Sequence, residues 1–240
     1  MALSKITTES LLDGEITLPK LSSGTDGNII SYDASGNPVA IATGNDGQVL
    51  TSTGAGRPPA FEDAAGGGAW NIIGTTTASD SSSLTITGLD STYDTYACAM
   101  ADMHPASDSS PCLRMGDSSG IDSGGSDYKW QNQRMEWQNA SAFNSHASNS
   151  DDQIKFTLGS AGTGSGEGWG GFFYLHRPAD SQILPHISGH GSYIPASDDG
   201  FTVLFSGARS SAITLDRLEF RFSSGNIVSG RFTVWGIAHA

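Results

Sequence analysis

Leu218-Glu219-Phe220-Arg221-Phe222-Ser223-Ser224-Gly225-Asn226-Ile227-Val228-Ser229-Gly230-Arg231-Phe232-Thr233-Val234-Trp235 is two alternating runs separated by a turn signal. A side-chain period of two is that of a strand with one face on a core. Leu218, Phe220 and Phe222 share one face, with Glu219 and Arg221 on the other. Phe232 and Val234 oppose Arg231 and Thr233 in the same way. Ser224-Gly225-Asn226 reads as a tight hairpin turn between the last two strands. Ile213 and Leu215 are out of phase with Leu218, which predicts a bulge or corner near Asp216-Arg217.

Moving outward, similar runs recur through residues 70–240. They begin at Trp70-Asn-Ile72-Ile73 and continue at Leu84–Thr87, Ala97–Ala101, Pro111–Met115, Tyr128–Trp137, Gln153–Leu158, Gly171–His176, Ile183–Ile187 and Phe201–Phe205. Together with Ile213–Phe222 and Ile227–Ile237, this spacing predicts a jelly-roll-like β-sandwich. Composition agrees: 31 Gly and only 15% charged residues in a chain of 240 favour turns and strands over helices. No heptad pattern is sustained, which argues against a coiled-coil shaft.

Upstream lies one phrase written twice. Gly24-Thr-Asp26-Gly27-Asn-Ile29-Ile30-Ser is answered by Gly44-Asn-Asp46-Gly47-Gln-Val49-Leu50-Thr, and Ile41 is matched by Phe61. Each copy reads as turn, strand, turn, strand, with Asp-Gly supplying a positive-φ turn position. So short a unit has almost no core, so Ile29, Ile30, Ile41, Val49, Leu50 and Phe61 need a neighbouring copy or another chain to cover them. Residues 62–69, with Gly66-Gly67-Gly68, read as a linker. The expected fold is thus all-β, with a short repeat-containing fibrous stalk (24–69) before the sandwich (70–240). Residues 1–23 form a head segment whose Ile6, Leu11, Leu12, Ile16, Leu18 and Leu21 suit either a docking peptide or packing on the chain's own domain.

Net charge is −13, which argues against nucleic acid and against an anionic membrane surface. No stretch approaches membrane-spanning length, and Met1-Ala-Leu-Ser-Lys5 lacks the pattern of an export signal. Cys98 and Cys112 could face each other across a hairpin; free thiols are the preferred reading.

Several segments invite a chemical reading. Ser160–Gly171 is glycine-rich, but no helix follows and no Gly-Lys-Ser/Thr occurs, so it reads as a flexible loop. His176, His186 and His190 lie near Asp180, without the helix a zincin pair needs, and loop histidines are preferred over metal ligands. Asp117 to Asp127 is acidic and glycine-rich, fits no EF-hand spacing and reads as a solvated loop. No Gly-x-Ser-x-Gly elbow opens a helix, so catalysis is not expected, nor is a cofactor or a metal. Tyr128, Trp130, Trp137, Trp169 and Tyr193 sit in polar segments. Such rings either stack on sugars or fill a core or a subunit seam.

The start Ile6-Thr-Thr-Glu-Ser-Leu-Leu-Asp-Gly-Glu-Ile-Thr-Leu-Pro-Lys-Leu21 resembles the N-terminal phrases of tailed-bacteriophage fibre proteins. Gly44-Asn-Asp-Gly-Gln-Val-Leu-Thr-Ser-Thr-Gly to Phe61 resembles their shaft repeats. Leu84 to Tyr96 and Val228 to Ile237 are similar to the first and last strands of β-sandwich tips on phage virion proteins. The resemblance implies a homotrimeric virion fibre, assembled in the host bacterial cytoplasm and docked on other virion proteins through its head segment. Its tips would bind a host-surface polysaccharide or protein receptor. A capsid-attached head fibre or decoration protein is the alternative, and a small glycan-processing enzyme the remote one.

Overall fold

The computed structural model describes residues 25–63, 69–138, 143–178, 180, 182–197 and 199–238. They fall into two compact units, one on either side of residues 64–68. No helix occurs among the described residues, and every strand pairing is antiparallel.

In the first unit the repeat folds as two hairpins. Strand β1 (Ile29–Tyr32) pairs with β2 (Pro38–Ile41), and β3 (Gln48–Thr51) with β4 (Ala60–Asp63). The matched Asp-Gly turns put Gly27 at φ 76° and Gly47 at φ 87°, a region L side chains rarely adopt. Equivalent positions also tie each hairpin's mouth: Asn28 Oδ1 accepts from Thr43 N at 3.2 Å, and Gln48 Nε2 donates to Asp63 Oδ1 at 3.0 Å. The tips differ. Asp33 Oδ1 accepts from Ser35 N and Asn37 N at 2.8 and 2.9 Å and closes a tight turn, whereas Thr53 Oγ1 reaches Pro58 O at 2.7 Å across a wider loop. No residue from 25 to 63 is buried. Ile30 is 68% exposed and Tyr32 64%, with Ile29, Val49 and Leu50 also exposed and Ile41 and Phe61 half-buried.

The second unit is a β-sandwich. Its large sheet has eight strands. They are β5 (Trp70–Thr77), β7 (Thr95–Pro105), β10 (Tyr128–Glu136), β11 (Phe143–Asp151), β13 (Gly168–His176), β14 (His186–Ile194), β15 (Phe201–Arg209) and β17 (Ile227–Ile237). Their order is β11-β10-β15-β14-β13-β7-β17-β5. The small sheet holds β6 (Leu84–Thr87), β8 (Pro111–Asp117), β9 (Gly120–Ile121), β12 (Ile154–Lys155) and β16 (Arg217–Phe222), ordered β12-β8-β16-β6 with β9 on β8.

Inward positions of both sheets meet in one core. Phe156 is its hub: its ring centroid lies 4.2 Å from that of Phe205, 5.7 Å from Phe173, 5.8 Å from Trp169 and 6.4 Å from Phe220. Phe220 and Phe222 are fully buried, and Glu219 and Arg221 point away from them, as alternation predicts. Tyr128 bridges the sheets: its hydroxyl accepts from Met115 N at 2.8 Å and lies 2.9 Å from Asp122 O.

Sequence pattern and structure part at several places. Ser224-Gly225-Asn226 does not close a hairpin: β16 lies in the small sheet and β17 in the large one, so the turn carries the chain across the core. The run Ile213–Phe222 breaks at the expected corner, and only Arg217–Phe222 is strand. Phe143–Asp151, too polar to read as a strand, forms one because it is the sheet edge, where pairing with β10 alone suffices. His186–Ile194 replaces the expected Ile183–Ile187; its alternation is hidden because Gly191 stands where a side chain would strike the Trp169 ring, a Cβ there lying 2.5 Å from Cη2.

Cys98 and Cys112 sit in different sheets, on β7 and β8, and are free and buried. Burial pushes the Cys112 thiol up to about 12 and Cys98 well above its ordinary value, so both behave as small apolar residues.

Candidate functional site

A cleft of about 430 Å³ opens where β7, β13, β14 and β17 meet, lined among others by Asp102, His104, Trp137, Glu167, Ser192 and Ser229. Its origin is a bulge. The pairing of β7 slips against β13 between Trp169 and Gly171, and against β17 between Ser229 and Arg231. Asp102, at the bulge, has φ 54°, a strained value for a residue with a side chain. The extra residue turns Asp102 out of the alternation and leaves it exposed on the cleft wall.

The glycine-rich segment before β13 supplies another wall. It is a loop, as its composition predicts, but a fastened one. Glu167 Oε2 accepts from Gly164 N at 2.6 Å, and the His104 ring nitrogens lie 3.1 Å from Thr163 O and 3.4 Å from Glu167 O. Gly162 N donates to Ile194 O at 3.0 Å, and Ala161 bridges to Ser109.

Trp137 follows the end of β10 and is 58% exposed. Its indole N–H donates to Thr202 Oγ1 at 3.0 Å, its backbone N–H donates to Gly200 O at 2.9 Å, and its ring lies over Gly200, where a Cβ would collide with it. The ring is therefore held in place with a face open to solvent. An aromatic face beside carboxylates and hydroxyls can stack on a pyranose ring and accept from its hydroxyls.

The other four aromatics proposed from sequence are core residues. Tyr128 is 0%, Trp130 6%, Trp169 2% and Tyr193 2% exposed. The Trp130 N–H donates to Asp151 Oδ2 at 3.0 Å with the Lys155 ammonium 5.9 Å from its ring, and Tyr193 stacks on Phe201 at 5.0 Å while Arg134 donates to its hydroxyl. Their polar sequence neighbours, such as Gln131 and Gln133, are the outward half of the same strands. Trp169 and Tyr193 still border the cleft from within, and the Trp169 N–H, fully buried, has no acceptor among the described residues. Ile6, Leu11, Leu12, Ile16, Leu18 and Leu21 lie outside the described residues.

The acidic loop from Asp117 to Asp127 has work inside the fold. Arg209, on β15, donates to Asp122 at 2.8 Å, lies 3.4 Å from Asp127, and has its guanidinium carbon 6.0 Å from the centre of the Tyr128 ring. Asp117 instead accepts from Ser119 N at 2.8 Å. Sequence spacing gave no sign of Arg209, whose acidic partners lie over 80 residues away along the chain.

Of the histidines, His176 and His186 face each other on β13 and β14, ring centroids 5.2 Å apart, while His190 lies beside Phe172 and Asp180 is engaged by Arg177. No group of three or more potential metal ligands occurs among the described residues. Burial, reinforced by His186, holds the His176 imidazolium below its ordinary pKa of 6.5. As pH falls through 6.5 the unfolded chain takes up this proton more readily than the folded one, so stability declines. Above that range the penalty is absent. His176→Gln is expected to flatten this dependence, so that the melting temperature of the variant minus that of the parent is more positive at pH 5 than at pH 7.5; the same signed difference at both pH values would contradict it.

Comparison with known proteins finds no matching family model, no matching curated protein and no matching solved structure.

Proposed function

We propose that this chain is a structural component of a bacteriophage virion, a homotrimeric fibre whose C-terminal β-sandwich binds a host-surface receptor, a polysaccharide in the cleft beside Trp137. The observation that carries the reading is the repeat. Two hairpins of matched design expose Ile30, Tyr32, Val49 and Leu50 and bury nothing of their own. Apolar surface of this kind is stabilised only when other copies cover it. The head-segment residues Ile6, Leu11, Leu12, Ile16, Leu18 and Leu21 would dock it on other virion proteins. Two hairpins make a short spacer, which favours as a second reading a capsid-attached head fibre or decoration protein.

The test is mass in solution. The full chain is expected to sediment at three times its chain mass. The double variant Ile30→Glu/Leu50→Glu is expected to fall toward monomer, because six carboxylates would meet in the trimer's covered surface. A parent chain that stays monomeric at micromolar concentration would sink the proposal. Antibody labelling of particles by electron microscopy separates tail from capsid attachment.

A further inference from the structure

The two faces of the large sheet differ in a way the core does not explain. The inward face is the core. The outward face is also rich in rings, joined into one chain across the sheet. Trp70 stacks on Phe172 and lies against Trp235, both at 5.9 Å between centroids. Phe172 meets Tyr174 at 5.1 Å, Tyr174 meets His176 at 6.5 Å, and His176 meets His186 at 5.2 Å. Beneath them Ala97 and Ala99 are small enough to let the rings span neighbouring strands, and Ala97 is fully buried though it points outward. Around the chain stand Ile72 at 65%, Leu204 at 51% and Met135 at 43% exposure.

The second feature is charge. The chain carries 25 acidic residues, yet none holds an outward register position from β10 across to β5. The charged side chains there are Lys129 and Arg231, with His176, His186 and His190 beside them. Asp102, displaced by its bulge, and Glu167 line the cleft instead.

We infer that this outward face, from the ring chain up to the rim of the Trp137 cleft, is a self-association surface, covered by the sandwich of a second copy of the chain. Any two copies, each at −13, repel over most of their surface. A face cleared of carboxylates and furnished with aromatics is where they can approach, and interface centres are depleted in charge and enriched in aromatics for this reason. The area also suffices. Seven strands, β10 to β5, at about 4.8 Å spacing, each with about seven residues clear of the cleft at about 3.4 Å, present on the order of 800 Å², the size of about 800 Å² per partner in a stable interface. The inference does not depend on the fibre reading, because it rests on the sandwich and not on the repeat.

The test reads coverage locally, by maleimide labelling of a cysteine in the full-length chain. Leu204→Cys reports on the outward face, and Thr85→Cys, exposed on the small sheet, is the control. The native Cys98 and Cys112 are buried. In the parent background Leu204→Cys is expected to react at least tenfold more slowly than Thr85→Cys. Adding Ile72→Glu and Tyr174→Glu, which puts carboxylates into the face, is expected to bring the two rates together with circular dichroism unchanged. Equal rates in the parent background would overturn the inference, and would leave the fibre proposal standing if the mass is still that of a trimer. Slow labelling that persists in the Glu variant would overturn it too, since the chain itself would then be covering the site.

Discussion

Phe156→Ala is expected to cost the sandwich about 3–5 kcal/mol, the range for removing a fully buried phenylalanine. The position is unusually exposed to that loss because the ring meets both sheets: Phe205, Phe173 and Trp169 from the large one and Phe220 from the small one. None of these partners can follow the vacated volume without leaving its own strand. Its backbone is pinned as well, Phe156 N donating to Pro111 O at 3.1 Å, so the segment cannot sink inward. For a domain of this size the melting temperature should fall by about 10 °C. Phe156→Leu, which keeps most of the volume, should cost roughly half as much. Urea unfolding followed by tryptophan fluorescence measures both. A loss below about 1 kcal/mol for the alanine variant would mean that the two sheets do not meet at this ring.

Trp137→Ala is expected to weaken saccharide binding about 30-fold, equivalent to about 2 kcal/mol, while leaving the fold intact. The ring is fixed by its bond to Thr202 and its seat on Gly200, so little order is gained on binding and the stacking face is available at low entropic cost. Trp137→Phe keeps an aromatic face but loses the hydrogen bond to Thr202, and should fall between parent and alanine. In the proposed receptor site the carboxylates of Asp102 and Glu167 on the cleft wall would repel acidic sugars. Trp130→Ala is the contrast: a core ring, its loss should appear as instability of about 3–5 kcal/mol and not as a selective loss of affinity. A glycan array read with each folded variant decides the matter. Unchanged binding by Trp137→Ala would remove the cleft from consideration.

The contrast between Trp137 and Trp130 shows where the sequence stops being legible. Both lie in the polar run from Tyr128 to Trp137, and local pattern treats them alike. Alternation does put Tyr128 and Trp130 on one face, but whether that face meets solvent or a second sheet depends on what lies opposite. For Trp130 the small sheet lies opposite, with Lys155 of β12 at 5.9 Å from its ring. The polar strand β11 was invisible because an edge needs no apolar signature, and β14 because its glycines yield their side-chain space to Trp169 and Phe173. The cleft itself depends on a one-residue slip in β7 that no periodicity announces.

By itself the sequence determined the all-β class, the pairing pattern of the repeated hairpins and the inward faces of β16 and β17. These follow from local chemistry: a period of two, and turns that only glycine enters easily. Tertiary structure alone decided which sheet each strand joins, that Ser224-Gly225-Asn226 crosses between sheets, and which aromatics stay at the surface. Those outcomes are set by long-range pairing and by the packing of one face on another, and neighbouring residues carry no record of a partner a hundred positions away.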